Sequence, residues 1–312
     1  MIITVTPNPA LDLTWHVDKI VAGGVHRAET GRARAGGKGL NVARVAHAQG
    51  AAVRALATVG GATGGEFALE LRESGVPNVL VPVAAATRRS IALVDEALGD
   101  TTIVNERGIA PTGDEWRALF DALGEELVGA GESSVLVISG SLPPETPVDI
   151  LPSLILVGRA AGARVIVDTS GPALLQAADA GASVLKPNAA ELAAATGLSD
   201  PIAGAQELLR RGVELVLLSL GADGMLAVTG ENVVHARLDA PLAGNPTGAG
   251  DAAVAACAVL MAEGTTDPET ILRRATAWSA AAVLMPLAGD ISDTWPALEA
   301  ALTVAPYAPK DV

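Results

Sequence analysis

Over most of its 312 residues the chain alternates short β-branched runs with Ala- and Leu-rich stretches at helical spacing, and few folds satisfy that alternation. The runs at 2–7 (IITVTP), 53–60 (VRALATVG), 134–140 (SVLVISG), 164–170 (RVIVDTS), 183–188 (SVLKPN) and 215–221 (LVLLSLG) end in polar or glycine residues. Strands buried on both faces read this way, so the pattern predicts an α/β chain with a mainly parallel central sheet and helices on its faces. Ligands of such sheets gather at the carboxyl ends of the strands. Asn8, Ser139, Asp168, Lys186, Asn188 and Ser219 are therefore expected near one crevice.

Two segments depart from this rhythm. Residues 11–35 and 87–107 alternate polar and apolar positions around turn signals at Gly23-Gly24 and Gly99-Asp100, which predicts antiparallel strands. They are read as one small β lid over the crevice, offering an edge for homodimer contact. The α/β core then comprises 1–10, 36–86 and 108–312. There is no internal repeat and no low-complexity linker.

Composition removes several classes of partner. Aromatic residues make up only 2% of the chain, so the core must be built from Ala, Val, Leu and Ile, and a stacking surface for single strands is not expected. A net charge of -14 argues against nucleic acid or an anionic membrane as partner. The charge is uneven: Arg27, Arg32, Arg34, Lys38 and Arg44 face only Glu29 between positions 27 and 44. That cluster reads equally as solvated surface or as a site for a small anion. The lone Cys257, in an Ala/Val run, excludes an internal disulfide and is expected to be buried. The start does not resemble a signal peptide and the apolar runs are short or interrupted, so a cytoplasmic location is expected.

Glycine clusters carry the chemistry. In NPTGAGDA, residues 245–252, Gly248, Ala249 and Gly250 would let backbone N–H groups approach a phosphate, and the apolar run that follows reads as a helix whose positive end faces it. Asp251 is then either an N-cap after a glycine turn or the acceptor of a proton from an attacking hydroxyl. AGGKGLNVARVA, residues 35–46, is not a Walker A loop, because Arg32 stands where the first glycine belongs and Gly39 follows Lys38. Its glycines, Lys38 and Asn41 suit a hydroxyl or phosphate as well as they suit a plain strand-to-helix turn. Asn188 and Glu191 read as oxygen ligands for magnesium or as a capping box. Ser219 and Gly221 end a strand at a turn, as loops around nucleotides do.

TPNPALDLT, AGGKGLNVARV, TRRSIALVD, ISGSLPP, VIVDTSG, LKPNAAEL, SLGADG and NPTGAGDA together resemble, in order and spacing, the ribokinase-like PfkB carbohydrate kinases. The resemblance runs from residue 3 to about 290 and is greatest to the 1-phosphofructokinase and tagatose-6-phosphate kinase branch, which acts on ketohexose phosphates. It implies a three-layer ribokinase-like sandwich with a β lid, using ATP and Mg2+. It implies Asp251 as catalytic base, Gly248, Ala249 and Gly250 as anion hole, and Asn188 and Glu191 as the metal-associated pair. Lys186, Ser219, Gly221 and Asn245 fall on the nucleotide side. Asp12, Gly37, Lys38 and Asn41 match sugar-binding positions, while Arg88, with Arg27 and Lys38, would hold the substrate's phosphate near Ser139.

Cations in the lid segments favour a sugar phosphate over a neutral sugar or nucleoside. A noncatalytic sugar-phosphate sensor would not need the base. A nicotinamide dehydrogenase lacks support, because no GxGxxG follows the first strand. Where relatives place small residues near adenine this chain has Trp278 and Ser279, and Arg107 has no assigned partner; a core tryptophan and a surface arginine are the expectations.

Overall fold

The computed structural model describes residues 1–131 and 133–308. Positions 132 and 309–312 of the expected core segment lie outside the described residues. Strand β1 (Ile2–Thr6) leads into β2 (Ala10–Val17), β3 (Arg32–Gly36) and helix α1 (Lys38–Ala48). Strand β4 (Val53–Val59), helix α2 (Gly61–Glu73) and strands β5 (Asn78–Pro82), β6 (Arg88–Asp95) and β7 (Asp100–Asn105) follow. An alternation then takes over with α3 (Gly113–Ala130), β8 (Val135–Ser139), α4 (Ile150–Ala160), β9 (Arg164–Asp168), α5 (Pro172–Asp179) and β10 (Val184–Leu185). Helices α6 (Ala189–Thr196) and α7 (Pro201–Arg210) precede β11 (Leu215–Ser219), β12 (Met225–Val228) and β13 (Val233–Arg237). The last elements are α8 (Ala249–Ala262), α9 (Pro268–Val283), α10 (Trp295–Ala300) and β14 (Thr303–Pro306).

Among the described residues the large sheet has ten strands in the order β14-β13-β12-β11-β10-β9-β8-β1-β4-β5. It is parallel from β5 to β11 and antiparallel across β11, β12, β13 and β14. Successive side chains leave opposite faces of a strand. Ile2, Val135, Ile166 and Leu217 accordingly pack with α1, α8 and α9, whereas Ile3, Val5, Leu136, Val165 and Leu218 pack with α3 to α7. The result is helix, sheet and helix in three layers. Every run read as a parallel strand is one, although β10 stops at Leu185, just before Lys186 and Pro187. Proline has no N–H to extend the ladder. Beyond the expected parallel strands, β12 to β14 form a short antiparallel extension of the sheet.

Helix α8 passes through the middle of one helical layer. Its Ala-rich sequence has high helix propensity and is apolar on all sides, and every residue from Asp251 to Met261 is buried, Cys257 among them. Trp278 of α9 is also buried, edge-on to Trp295 at 5.8 Å, so it is a core residue; Arg107 is exposed.

The small sheet has the order β3-β2-β6-β7. Its two outer pairings are antiparallel, as expected, while β2 and β6 run parallel where the two segments meet. Alternation within a segment cannot reveal the direction of a strand from elsewhere in the chain. The buried Asp95 fastens the turns, its Oδ2 accepting the Ile20 N–H and its Oδ1 the Leu98 N–H. No helix among the described residues is long and apolar enough to cross a membrane.

Candidate active site

A cavity of about 1360 Å³ opens at the carboxyl ends of the parallel strands and is lined by both sheets. Glycine shapes one wall. Gly248 caps α8 at φ 86, a left-handed conformation that would strain any other residue, and a Cβ there would come within 2.8 Å of Ala288. Ala249, Gly250 and Asp251 then form the first helical turn, where backbone N–H groups have no partner within the helix, although the Ala249 N–H donates to the Pro246 carbonyl of the glycine loop at 3.2 Å. Asp251 is thus the third helical residue and not the cap. Gly248, Ala249, Gly250 and Asp251 all line the cavity.

The Asp251 carboxylate is 5% exposed and accepts a hydrogen bond from Asn41 Nδ2 at 2.8 Å. Burial pushes its pKa up to about 7; the nearby Asp168 adds to the rise, and the Asn41 bond, Lys38 and Lys186 oppose it. A carboxylate so placed is poised to take a proton near neutral pH. Asp168, at the end of β9, is wholly buried. Lys38 Nζ donates to its Oδ2 at 3.2 Å, Ser139 Oγ donates to the same oxygen at 3.2 Å, and Lys186 Nζ forms an ion pair with Oδ1 at 3.3 Å. Burial alone would raise the Asp168 pKa, but the two ammonium groups overcome it and hold the carboxyl below its ordinary value. Lys186 Nζ also lies 3.2 Å from where a Cβ on Gly250 would stand, so its charge sits beside the helix start.

The other wall comes from β2, β6 and α1. Asp12, Gly37, Lys38, Asn41 and Arg88 line it, as does Asn8. Gly36 is dictated by contact: a Cβ there would fall 1.9 Å from Asp12 Oδ2. Burial raises the Asp12 pKa to about 6, against the pull of Arg88, Arg34 and Arg44. Arg88 donates from Nε to Asn8 Oδ1 at 3.0 Å and from Nη2 to the Asn8 carbonyl at 3.1 Å, which orients its guanidinium. Ser90 stands two residues further along β6 on the same face, lines the cavity and hydrogen-bonds to Asp12. Its alternation with Arg88 was the available sequence signal.

Asn188 and Glu191 line the cavity too, and they form a reciprocal capping box on α6. Asn188 Oδ1 accepts the Glu191 N–H at 2.8 Å, and Glu191 Oε2 accepts the Asn188 N–H at 2.9 Å. Among the described residues no group of three or more His, Cys, Asp or Glu side chains could hold a metal. One carboxylate and one amide oxygen nonetheless suit magnesium, which keeps several waters and binds substrate phosphates. Lys186, Ser219 and Gly221 border the same space, and Ser279 reaches it from α9.

Three expected residues stand apart. Arg27 lies exposed on the loop between β2 and β3 and is not part of the lining. Ser139 is fully buried behind Asp168. Asn245 supports the glycine loop from outside, accepting the Thr247 N–H at 3.0 Å and donating to the Pro286 carbonyl at 3.2 Å. The cation cluster around the second glycine loop is also largely neutralised. Arg34 makes a bidentate pair with Asp290, Arg44 pairs with Glu70, and only Lys38 of that cluster lines the cavity. Those acidic partners are remote in sequence.

A family profile described as pfkB family carbohydrate kinase matches residues 8–295. The chain belongs to this family. A 1-phosphofructokinase of Xanthomonas campestris is 39% identical over 286 residues, covering 89% of each chain. An ATP-dependent 6-phosphofructokinase isozyme 2 of Mycobacterium tuberculosis is 36% identical over 84% of this chain and 78% of its own. Among solved structures, phosphofructokinase-2 from Escherichia coli in complex with potassium superposes with a TM-score of 0.88 at 32% identity, covering 96% of this chain and 98% of that one. Ribokinase from Arabidopsis thaliana shares the fold at a TM-score of 0.72 and 22% identity.

Proposed function

We propose that this pfkB family kinase transfers the γ-phosphoryl group of ATP to a primary hydroxyl of a ketohexose phosphate. The observation that carries the reading is a buried carboxylate, Asp251, on the first turn of α8, facing a cavity that also holds Arg88 and Asp12. Asp251 accepts the proton of the primary hydroxyl as that oxygen attacks the γ-phosphorus; the bond to the β-phosphate oxygen breaks and ADP leaves. The N–H groups around Gly248, Ala249 and Gly250 stabilise the charge on the transferring group, aided by the Lys186 ammonium. Ser219 and Gly221 border the nucleotide. Asn188 and Glu191 would hold Mg2+, directly or through its water, and the ion would supply neutralisation of phosphate charge.

On the sugar side, Asp12 and Asn41 meet hydroxyls while Arg88 and Lys38 meet the phosphate already present. Segments 11–35 and 87–107 act as the lid on a core of 1–10, 36–86 and 108–312. Closing it excludes water and so protects ATP from hydrolysis. Leu98, Ile103 and Val104 are exposed on β7 and the turn before it, which supports a homodimer through the lid. An enzyme of this chemistry works where ATP and sugar phosphates are kept, in the cytoplasm.

The name of the Xanthomonas relative favours fructose 1-phosphate and that of the Mycobacterium relative fructose 6-phosphate; tagatose 6-phosphate offers the same pair of ends. A coupled assay of ADP release across these three phosphates and free fructose, ribose and adenosine decides. Turnover with a ketohexose phosphate is expected. Turnover confined to a neutral sugar or nucleoside would overturn the reading, and binding of sugar phosphate without any turnover would make the protein a sensor.

A further inference from the structure

The segment from Pro286 to Asp290, between α9 and α10, is attached to both sides of the cavity. Its Pro286 carbonyl accepts the Asn245 side-chain N–H at 3.2 Å. Ala288 abuts Gly248, within 2.8 Å of the position a Cβ would take. Gly289 backs onto Asn41, whose Oδ1 would lie 3.2 Å from a Cβ there, and Asn41 in turn donates to Asp251. Asp290 then leaves this group for the small sheet, where both carboxylate oxygens accept from Arg34 at 2.9 Å. Arg34 sits directly across the β2/β3 ladder from Asp12.

We infer that the Arg34–Asp290 pair is a strut through which sugar phosphate under the lid and nucleotide at the start of α8 strengthen each other's binding. Arg34 and Asp290 are positioning residues, since neither lines the cavity. A bidentate guanidinium–carboxylate pair fixes direction as well as distance, so a displacement of β3 is passed to residues 286–290. Those residues touch the glycine cap and the amide that aims the base. Coupling of this kind must be reciprocal: whatever ATP does to sugar-phosphate affinity, sugar phosphate does to ATP affinity. The pair is partly buried, its side chains 18% and 40% exposed, so neutral replacements should cost some stability yet leave a folded protein in which the link is severed.

This inference rests on the kinase reading, and the test separates the two. The sugar phosphate that the wild-type protein turns over fastest is titrated by calorimetry with and without a nonhydrolysable ATP analogue and magnesium. The wild-type ratio of the two dissociation constants is expected to lie in the range of roughly 5–150 that is typical of linked sites. Arg34→Gln and Asp290→Asn should each collapse the ratio toward unity, and the double variant should lose no more than either, as for two ends of one link. The reversed pair Arg34→Asp with Asp290→Arg should restore part of it. A purely structural role would lower the melting temperature or weaken both titrations equally and leave the ratio alone. If no sugar phosphate binds the wild-type protein, the kinase reading fails and the strut with it. If one is phosphorylated but the single variants keep the wild-type ratio, the strut alone is overturned.

Discussion

Asn41 and Asp251 lie 210 positions apart and are joined by a 2.8 Å hydrogen bond at the floor of the cavity. The amide N–H can only donate, so the bond favours the ionised carboxylate and fixes the oxygen that accepts it. Asn41→Ala should raise the Asp251 pKa and release its orientation. Because a bond to a charged group contributes roughly 1.5–3 kcal/mol, kcat at neutral pH should fall about ten- to a hundredfold. Steady-state kinetics over a pH range would check both effects; an unchanged profile would remove Asn41 from the mechanism.

As the proposed base, Asp251 should set the acid limb of the rate profile through its protonation. Its pKa is raised by burial to about 7, so the base is mostly protonated below that pH and activity should rise about tenfold per pH unit on that side before levelling above it. Asp168→Asn removes a like charge and leaves Lys38 and Lys186 facing Asp251. The limb should then move to lower pH, in a protein destabilised by about 3–5 kcal/mol through loss of one partner in a buried ion-pair group. A limb that stayed in place would show that another group titrates there.

The same burial makes the base costly to the fold. Its folded pKa, about 7, lies above the ordinary 3.8, so the native state retains a proton that the unfolded chain has released, and stability falls as pH rises through that window. Asp251→Asn should abolish turnover yet melt at a higher temperature than wild type at pH 8, with a gain of roughly 1–4 kcal/mol. Calorimetry at pH 5 and pH 8 would test this, since the gain should shrink at the lower pH.

Gly248→Ala should damage chemistry more than binding. It would force a left-handed alanine and press a methyl group against Ala288, tilting the first turn of α8. A misplaced donor in such an anion site costs about a hundred- to a thousandfold in kcat. Sugar-phosphate affinity should be nearly unaltered, and equal losses in both would place the residue in the fold only.

Arg88→Ala should raise KM for the sugar phosphate roughly ten- to a hundredfold, the cost of a lost charge-assisted contact, with a much smaller effect on any neutral sugar. Comparing fructose 1-phosphate with free fructose would show whether the loss follows the phosphate.

What the sequence disclosed was local. The apolar runs of β1, β4, β8, β9 and β11 announce themselves because burial on two faces leaves no polar position, and the glycines before Asp251 are contiguous with it. The Asn188–Glu191 box spans a single helical turn and could be read directly. The pairing of Asp168 with Lys38 and Lys186 depends on how β9, α1 and β10 are arranged, which no spacing records. For the same reason spacing leaves both readings of the charges around the second glycine loop open: Glu70 and Asp290, which neutralise Arg44 and Arg34, come from α2 and from the segment after α9. The parallel meeting of β2 and β6 was hidden likewise, being a relation between two hairpin-like segments and not a property of either.

Helix α8 carries Asp251 at one end of an unbroken buried run, with neighbours on every side. The proposed proton acceptor is therefore anchored in a buried helix, whereas two of the groups that would choose the acceptor, Asp12 and Arg88, stand on a peripheral ribbon. New acceptor preferences could arise by drift in that ribbon while the phosphoryl-transfer apparatus stays untouched, so one scaffold can diversify its substrates without reinventing its chemistry.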